Sequence, residues 1–418
     1  MFRAATPARA SIMHARAPRL CGWCLMTLKT FLSRVFVLAV AALFLPGLCA
    51  AQARRESRKR RAPARRAGAA WGAAAREELA AGKRLEARGA LKDAIVHYQK
   101  AVKLEPNWPE AHVALGSAYN QQHKPGYAML EYLRATRLDP GNADAHYNLG
   151  TLLRAQGNLE GAVKQFEKAL QIDPDNSGAH NDLGLAFAQQ GKLGPAIEQF
   201  RSTVKLKPGW AIAHDNLGNA LAMAGDLNGA MVSYRNTIAL NPGWAQPYNN
   251  LGNALRQAGN LKAAVEQYRK ALQLDPRYAA ACNNLGLALQ QEGNLDGAIE
   301  HYQRAIQLNP NYPTAHNNLA TAYYQKKNWE GAIAEYGQVL RINPNDPAGH
   351  FNLGLALKAA GNRKGALEQF QQAQKLDPGD QQYQEAYESL LGASDAPVKA
   401  APESAGKAQP KTSAEESR

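Results

Sequence analysis

The sequence predicts an all-α solenoid of nine 34-residue helix-turn-helix units closed by one further helix. Three observations carry that expectation. Pro106, Pro140, Pro174, Pro208, Pro242, Pro276, Pro310, Pro344 and Pro378 recur every 34 residues without an insertion. Ala94, Ala128, Ala162, Ala196, Ala230, Ala264, Ala298, Ala332 and Ala366 keep the same beat twelve residues ahead of each proline. Between these marks, apolar residues return at i, i+3, i+4 and i+7, the stripe of an amphipathic helix. A helical hairpin of this size cannot bury its apolar faces alone, whereas stacked neighbours bury them for one another. The units span 75–108, 109–142, 143–176, 177–210, 211–244, 245–278, 279–312, 313–346 and 347–380.

The unit 279–312 shows why each element forms. Cys282, Leu285, Gly286 and Leu289 make the buried stripe of a first helix, helix A. Gly293 supplies the left-handed turn that ends it. A second helix, helix B, is expected from about Asp296 to Leu308, with Ala298, Tyr302 and Ala305 on one face. Asn309-Pro310 stops it, since proline disfavours helical geometry in the residue before it. Glycine in mid-helix costs up to about 1 kcal/mol against alanine. Its return at the eighth unit position, as in Gly252 and Gly286, therefore implies a contact that leaves no room for a Cβ. After the last unit, Asp380 can cap an amphipathic helix over 381–392 that seals the final apolar face. The tail 393–418 has no large apolar residue beyond Val398 and is expected to be disordered.

Ahead of the units, Val35–Leu48 is an uncharged apolar run followed by small residues, the pattern of a secretory signal peptide. Met26 opens a short basic segment of ordinary length for such a leader, so translation is expected to start there. The leader 1–53 is read as a signal peptide or membrane anchor. The anchor alternative stays open because the basic run Arg54–Arg66, in the linker 54–74, opposes translocation. Either way the protein is expected to be exported, in an extracytoplasmic or periplasmic space, or attached to a membrane.

The formal net charge of +14 belongs almost wholly to this leader. Residues 1–70 carry +13, and the remainder is balanced at +1. Without a basic face on the folded part, nucleic acid is not an expected partner. Cys21 and Cys24 have the spacing of a redox motif but lack its strand–helix setting, and Cys282 stands alone within the units. No fold-defining disulfide is expected.

With Leu285-Gly286 in helix A, Ala298 and Tyr302 in helix B and a closing Pro310, the unit resembles the tetratricopeptide repeat. The likeness covers residues 75–380. His123 and Lys327 replace the turn glycine, Ala320 replaces the helix A glycine, and Thr203, Thr237 and Val339 replace the later helix B alanine. The resemblance implies a right-handed superhelix whose helix A faces line a concave groove.

An asparagine recurs at the sixth unit position: Asn148, Asn216, Asn250, Asn284, Asn318 and Asn352, with Asp182 in the series. Helical rotation sets this position opposite the core stripe. An exposed carboxamide has two donors and an acceptor, which suits the backbone of an extended polypeptide. The array most resembles the repeats of the O-linked N-acetylglucosamine transferases, which implies a peptide-binding ladder along these seven residues. A merely solvated helix face would read the same way. Polar side chains at the ninth position (Thr151, Asn219, Asn253, Thr321) and the thirteenth (Gln189, Gln257, Gln291, Gln325) are expected to floor the groove, with Arg154, Arg256 and Lys358 available to acidic ligand groups.

His112, His146, His180, His214, His316 and His350 occupy the fourth position, on the core stripe. Helix spacing of about 8–10 Å is too wide for shared metal ligation, so interlocking ring packing is expected and neither metal nor cofactor is. No catalytic constellation lies outside the units. The expected function is a non-catalytic scaffold that binds polypeptide. The alternative is a recognition partner for a separately encoded enzyme, such as an O-glycosyltransferase.

Overall fold

The computed structural model describes residues 71–392. The apolar leader with its start at Met26, the cysteine pair 21/24, the basic run and the tail all lie outside the described residues. Among the described residues there are nineteen helices and no strand, and no helix is long and apolar enough to cross a membrane.

A and B helices alternate along the chain. They are α1 (Ala73–Ala87), α2 (Leu91–Leu104), α3 (Pro109–Gln121), α4 (Pro125–Leu138), α5 (Ala143–Ala155) and α6 (Leu159–Ile172). Then come α7 (Ser177–Gln189), α8 (Leu193–Leu206), α9 (Ala211–Met223), α10 (Leu227–Leu240), α11 (Ala245–Gln257) and α12 (Leu261–Leu274). The series ends with α13 (Ala279–Gln291), α14 (Leu295–Leu308), α15 (Pro313–Gln325), α16 (Trp329–Ile342), α17 (Pro347–Ala359), α18 (Arg363–Leu376) and α19 (Gln381–Gly392).

The packing defines two compact units, one ending at Ala118 and one beginning at Tyr119. In the first, α1 packs on α2. Trp71 stacks on Trp108 with ring centroids 5.7 Å apart, and the Gly72 amide donates to Glu105 Oε1 at 3.0 Å. In the second, each helix from α4 to α19 packs on the next.

Local chemistry sets the helix ends. Gly157, Gly191, Gly225, Gly259, Gly293 and Gly361 take positive φ where helix A turns into helix B. His123 and Lys327 are forced into the same region at φ 57° and 59°, where a Cβ is unfavourable. The B helices then start on side-chain caps that helical periodicity does not reveal. Asn158, Asp226, Asn260, Asn294, Asn328 and Asn362 each accept the backbone N–H three residues on. They end where proline requires, with Asn309 extended at φ −139° ahead of Pro310.

The helix A glycine does more than let a neighbouring helix approach. It accommodates the aromatic ring of the following B helix. A Cβ on Gly184, Gly252 or Gly286 would lie 2.7, 2.6 or 2.7 Å from the rings of Phe200, Tyr268 and Tyr302. In the unit with Ala320, that methyl and Tyr336 are both fully buried in one cluster, so the site takes a Cβ there. Burying each ring contributes about 2 kcal/mol. At the end of the series, Asp380 Oδ1 accepts the Gln382 amide at 2.8 Å. The capping helix α19 buries Tyr383 and Leu390 against Phe351 and Phe370.

Candidate functional site

The asparagines of helix A form a hydrogen-bonded ladder, and each rung needs a second residue. Asn216 Nδ2 donates to Asn181 Oδ1 at 2.9 Å, and Asn284 to Asn249 at 3.0 Å. Asn318 donates to Asn283 at 3.0 Å, and Asn352 to Asn317 at 3.1 Å. Each bond runs from the sixth position of one unit to the fifth position of the unit before. Asn250 instead reaches Asn219 Oδ1 at 3.2 Å. Asp182 has no donor to offer and takes the opposite part, accepting from the Tyr147 hydroxyl at 3.1 Å and Thr151 Oγ1 at 3.4 Å.

Within a helix, the fifth residue turns its own Nδ2 toward the sixth. Asn181 reaches Asp182 Oδ1 at 3.2 Å, and the pairs Asn249–Asn250 and Asn283–Asn284 are each 3.5 Å apart. The carboxamides thus run in series from Asn318 to Asn219 and from Asn216 to Asp182, and a series of this kind polarises and stiffens its members.

This geometry corrects the exposure expected of the seven residues. Asn318 and Asn352 are 1% exposed and Asp182 is 9% exposed. Asn148, Asn216, Asn250 and Asn284 are half-buried. Asn216 and Asn284 each spend one N–H on the preceding unit and keep a second, Asn250 engages both Asn219 and Asp215, and Asn148, the first in the series, makes no side-chain hydrogen bond among the described residues. The fifth-position residues Asn181, Asp215, Asn249 and Asn283 are all buried, and sequence reasoning passed over them. The signal was the doublet itself. Two adjacent helical residues sit about 100° apart, so a recurring Asn-Asn pair spans two surfaces rather than one.

The ninth position is also corrected. Asn219 and Asn253 accept the Tyr234 and Tyr268 hydroxyls, each at 2.8 Å, and buried Thr321 pairs with the Tyr336 hydroxyl at 3.0 Å. These side chains satisfy phenols that would otherwise be stranded in the core. Where the ninth residue is Leu287, Tyr302 turns to Gln290 at 2.7 Å. Burial pushes the Tyr268 phenol up to about 12, so it stays a donor. The thirteenth-position residues Gln189, Gln257, Gln291 and Gln325 are exposed. Arg154 is engaged by Asp182 at 3.9 Å. Half-buried Arg256 has no carboxylate partner among the described residues, and its Nε is buried without a hydrogen bond. Lys358 is exposed.

The fourth-position histidines hold units together by hydrogen bonds as well as by packing. His112, His146, His180, His214, His316 and His350 each direct Nε2 to the carbonyl of the proline six residues earlier, at 2.8–3.2 Å. Tyr248 uses its hydroxyl for the same carbonyl at 3.2 Å, so this position is matched by a donor as well as by bulk. On the other ring nitrogen, His146, His180 and His350 meet Gln165, Gln199 and Gln369, each at 2.7 Å. His316 meets Glu335 at 2.6 Å, and that hydrogen bond holds the imidazole above its usual range. Among the described residues no three His, Cys, Asp or Glu side chains gather as a metal site. Cys282 is buried and free, its thiol pushed up by burial.

A helix A/helix B unit with a small residue set against an aromatic ring, repeated every 34 residues and closed by proline, defines a helical repeat protein of one class. Sequence models agree. One described as TPR repeat matches residues 82–122, 150–191, 252–293, 288–327 and 321–361. Three described as tetratricopeptide repeat match 131–164, 347–380 and 181–243. Between them they cover well over half of the chain, which belongs to the tetratricopeptide-repeat family.

No curated protein sequence matches the chain. Among solved structures, the crystal structure of MamA protein is 28% identical, with 40% of this chain and 91% of that chain covered and a TM-score of 0.38. YrrB, described as a TPR protein with an unusual peptide-binding site, is 23% identical, with 46% and 99% covered and a TM-score of 0.39. The Cut9-Hcn1 hetero-tetramer of APC/C is 17% identical, with 76% of each chain covered and a TM-score of 0.46.

Proposed function

We propose that this protein is a non-catalytic interaction scaffold that binds polypeptide in an extended conformation along its helix A faces. One observation carries the reading. The half-buried carboxamides of Asn216 and Asn284 are pinned by the preceding unit and each keeps a spare N–H, while Asn250 between them is held by Asn219 and Asp215. A side chain already held in one rotamer loses little further freedom when it binds. The exposed glutamines Gln189, Gln257 and Gln291 extend the same polar, uncharged surface. Asn148 belongs to the proposed contact set. Asn318, Asn352 and Asp182 serve it from beneath, by holding the ladder in register.

Such a surface reads backbone rather than side chains, as the resemblance to the repeats of O-linked N-acetylglucosamine transferases also suggests. The same reading has the scaffold exported or membrane-attached through the apolar run 35–48, which N-terminal sequencing of the expressed protein and membrane fractionation would test.

The binding test sets the full chain against a randomised library of short acetylated and amidated peptides. Bound peptides are expected to share no sequence and to lose binding when alternate backbone nitrogens are methylated. Gln257→Ala with Gln291→Ala is expected to weaken capture without lowering the melting temperature. Capture indifferent to both changes would sink the reading. Selective recovery of one stoichiometric enzyme would favour a recognition subunit instead.

A further inference from the structure

The ladder has a second aspartate besides Asp182, and this one stands at the fifth position. At the fifth position, where Asn181, Asn249, Asn283 and Asn317 carry carboxamides, α9 carries Asp215. It is 4% exposed. Its Oδ2 accepts from Asn219 Nδ2 at 3.1 Å, while Oδ1 is buried with no hydrogen-bond partner. In three other helices, the fifth-position atom left over after the inter-unit bond is an amide nitrogen. It donates to the sixth-position Oδ1 of the same helix, in Asn181–Asp182, Asn249–Asn250 and Asn283–Asn284. The stranded Oδ1 of Asp215 is the counterpart of those nitrogens, and its sixth-position neighbour is Asn216. A carboxylate cannot donate to an amide oxygen, but a carboxylic acid can.

We infer that Asp215 is carried in the folded protein as the neutral acid, its Oδ1–H donating to Asn216 Oδ1. The proton makes the aspartate an electronic copy of asparagine and joins two stretches of the ladder. One runs from Asn318 through Asn283, Asn284, Asn249 and Asn250 to Asn219, and the other from Asn216 through Asn181 to Asp182.

The surroundings favour the neutral form. The ionisable groups that face Asp215 are the phenols of Tyr234 on α10 and Tyr278 ahead of α13. Both are themselves held neutral by burial. Asn219 on α9 and Asn250 on α11 hydrogen-bond the carboxyl group and pull the other way, but burial outweighs them. No lysine, arginine or histidine pairs with Asp215 among the described residues. Burial pushes its carboxyl above the usual range, the direction the geometry requires.

Loss of this proton as pH rises sets two oxygens against each other in the middle of the ladder, so the α9 rungs loosen in a pH-dependent way. A folded-state acid raised above its unfolded value contributes stability that is present at low pH and lost as pH rises through the folded value.

The test compares the full chain with its Asp215→Asn variant, whose amide donates at every pH. Urea midpoints are expected to be higher for Asp215→Asn at alkaline pH, with the gap closing as pH falls to the unfolded aspartate value of about 3.9. In parallel, infrared spectra of wild-type protein labelled at the aspartate carboxyl carbon are expected to keep one carboxylic-acid carbonyl band at a pH where solvent-exposed aspartates are ionised. A pH-independent midpoint gap, or a variant weaker than wild type throughout, would overturn the inference. So would a spectrum holding only carboxylate bands, and that reading stands even if the variant does not fold.

Discussion

Replacing Asn318 by alanine removes a buried donor whose partner cannot find another. Asn318 is 1% exposed, and Asn283 Oδ1, which accepts from it at 3.0 Å, belongs to a residue only 3% exposed. An oxygen buried this deeply and left without a donor costs about 1–3 kcal/mol. Alanine returns about half a kcal/mol through helix propensity. The expected net loss is about 0.5–2.5 kcal/mol.

Asn148 is the internal control. It occupies the same unit position but its side chain makes no hydrogen bond among the described residues, so Asn148→Ala is expected to be neutral or slightly stabilising. Urea unfolding followed by far-UV circular dichroism reads both, with a constant m value required before midpoints are compared. Double replacement at Asn283 and Asn318 is expected to cost less than the two single losses added, because neither partner is left alone. Equal costs for Asn148→Ala and Asn318→Ala, or a cost below about 0.5 kcal/mol for Asn318→Ala, would refute the ladder as a source of stability.

Other expectations follow from the same geometry. The His316–Glu335 bond stabilises the fold fully below the unfolded histidine value of about 6.5 and is lost as pH rises through the higher folded value. Glu335→Gln, which copies the partners of His146, His180 and His350, is expected to flatten that dependence in thermal melts taken across pH. Lys327→Gly relieves a left-handed residue and is expected to stabilise by about 1 kcal/mol, read as a raised urea midpoint. Gly252→Val sets branched carbon where even a Cβ would stand 2.6 Å from the Tyr268 ring, and is expected to cost at least about 2 kcal/mol. Tyr383→Ala uncovers Phe351 and Phe370 and is expected to speed amide exchange in α17 and α18 before the rest of the chain.

The sequence alone determined the helical units, their length, their turns and their core stripe, because these depend on spacing within one segment of chain. Proline breaks a helix wherever it stands, glycine permits the left-handed turn, and an apolar residue every three or four positions fixes a buried face. The recurrence also singled out the sixth-position asparagines and the fourth-position histidines. It could not say what they touch, because each partner lies on another helix: Asn249 is 35 residues from Asn284, and Gln165 is 19 from His146.

Only the tertiary structure decided that the asparagine row is partly sunk between units, that the ninth-position amides satisfy core phenols, and that Asp215 stands where an amide nitrogen is needed. The physical reason is that polar pairing depends on direction and distance between atoms far apart in the chain. Helix periodicity depends only on the order of residues along it.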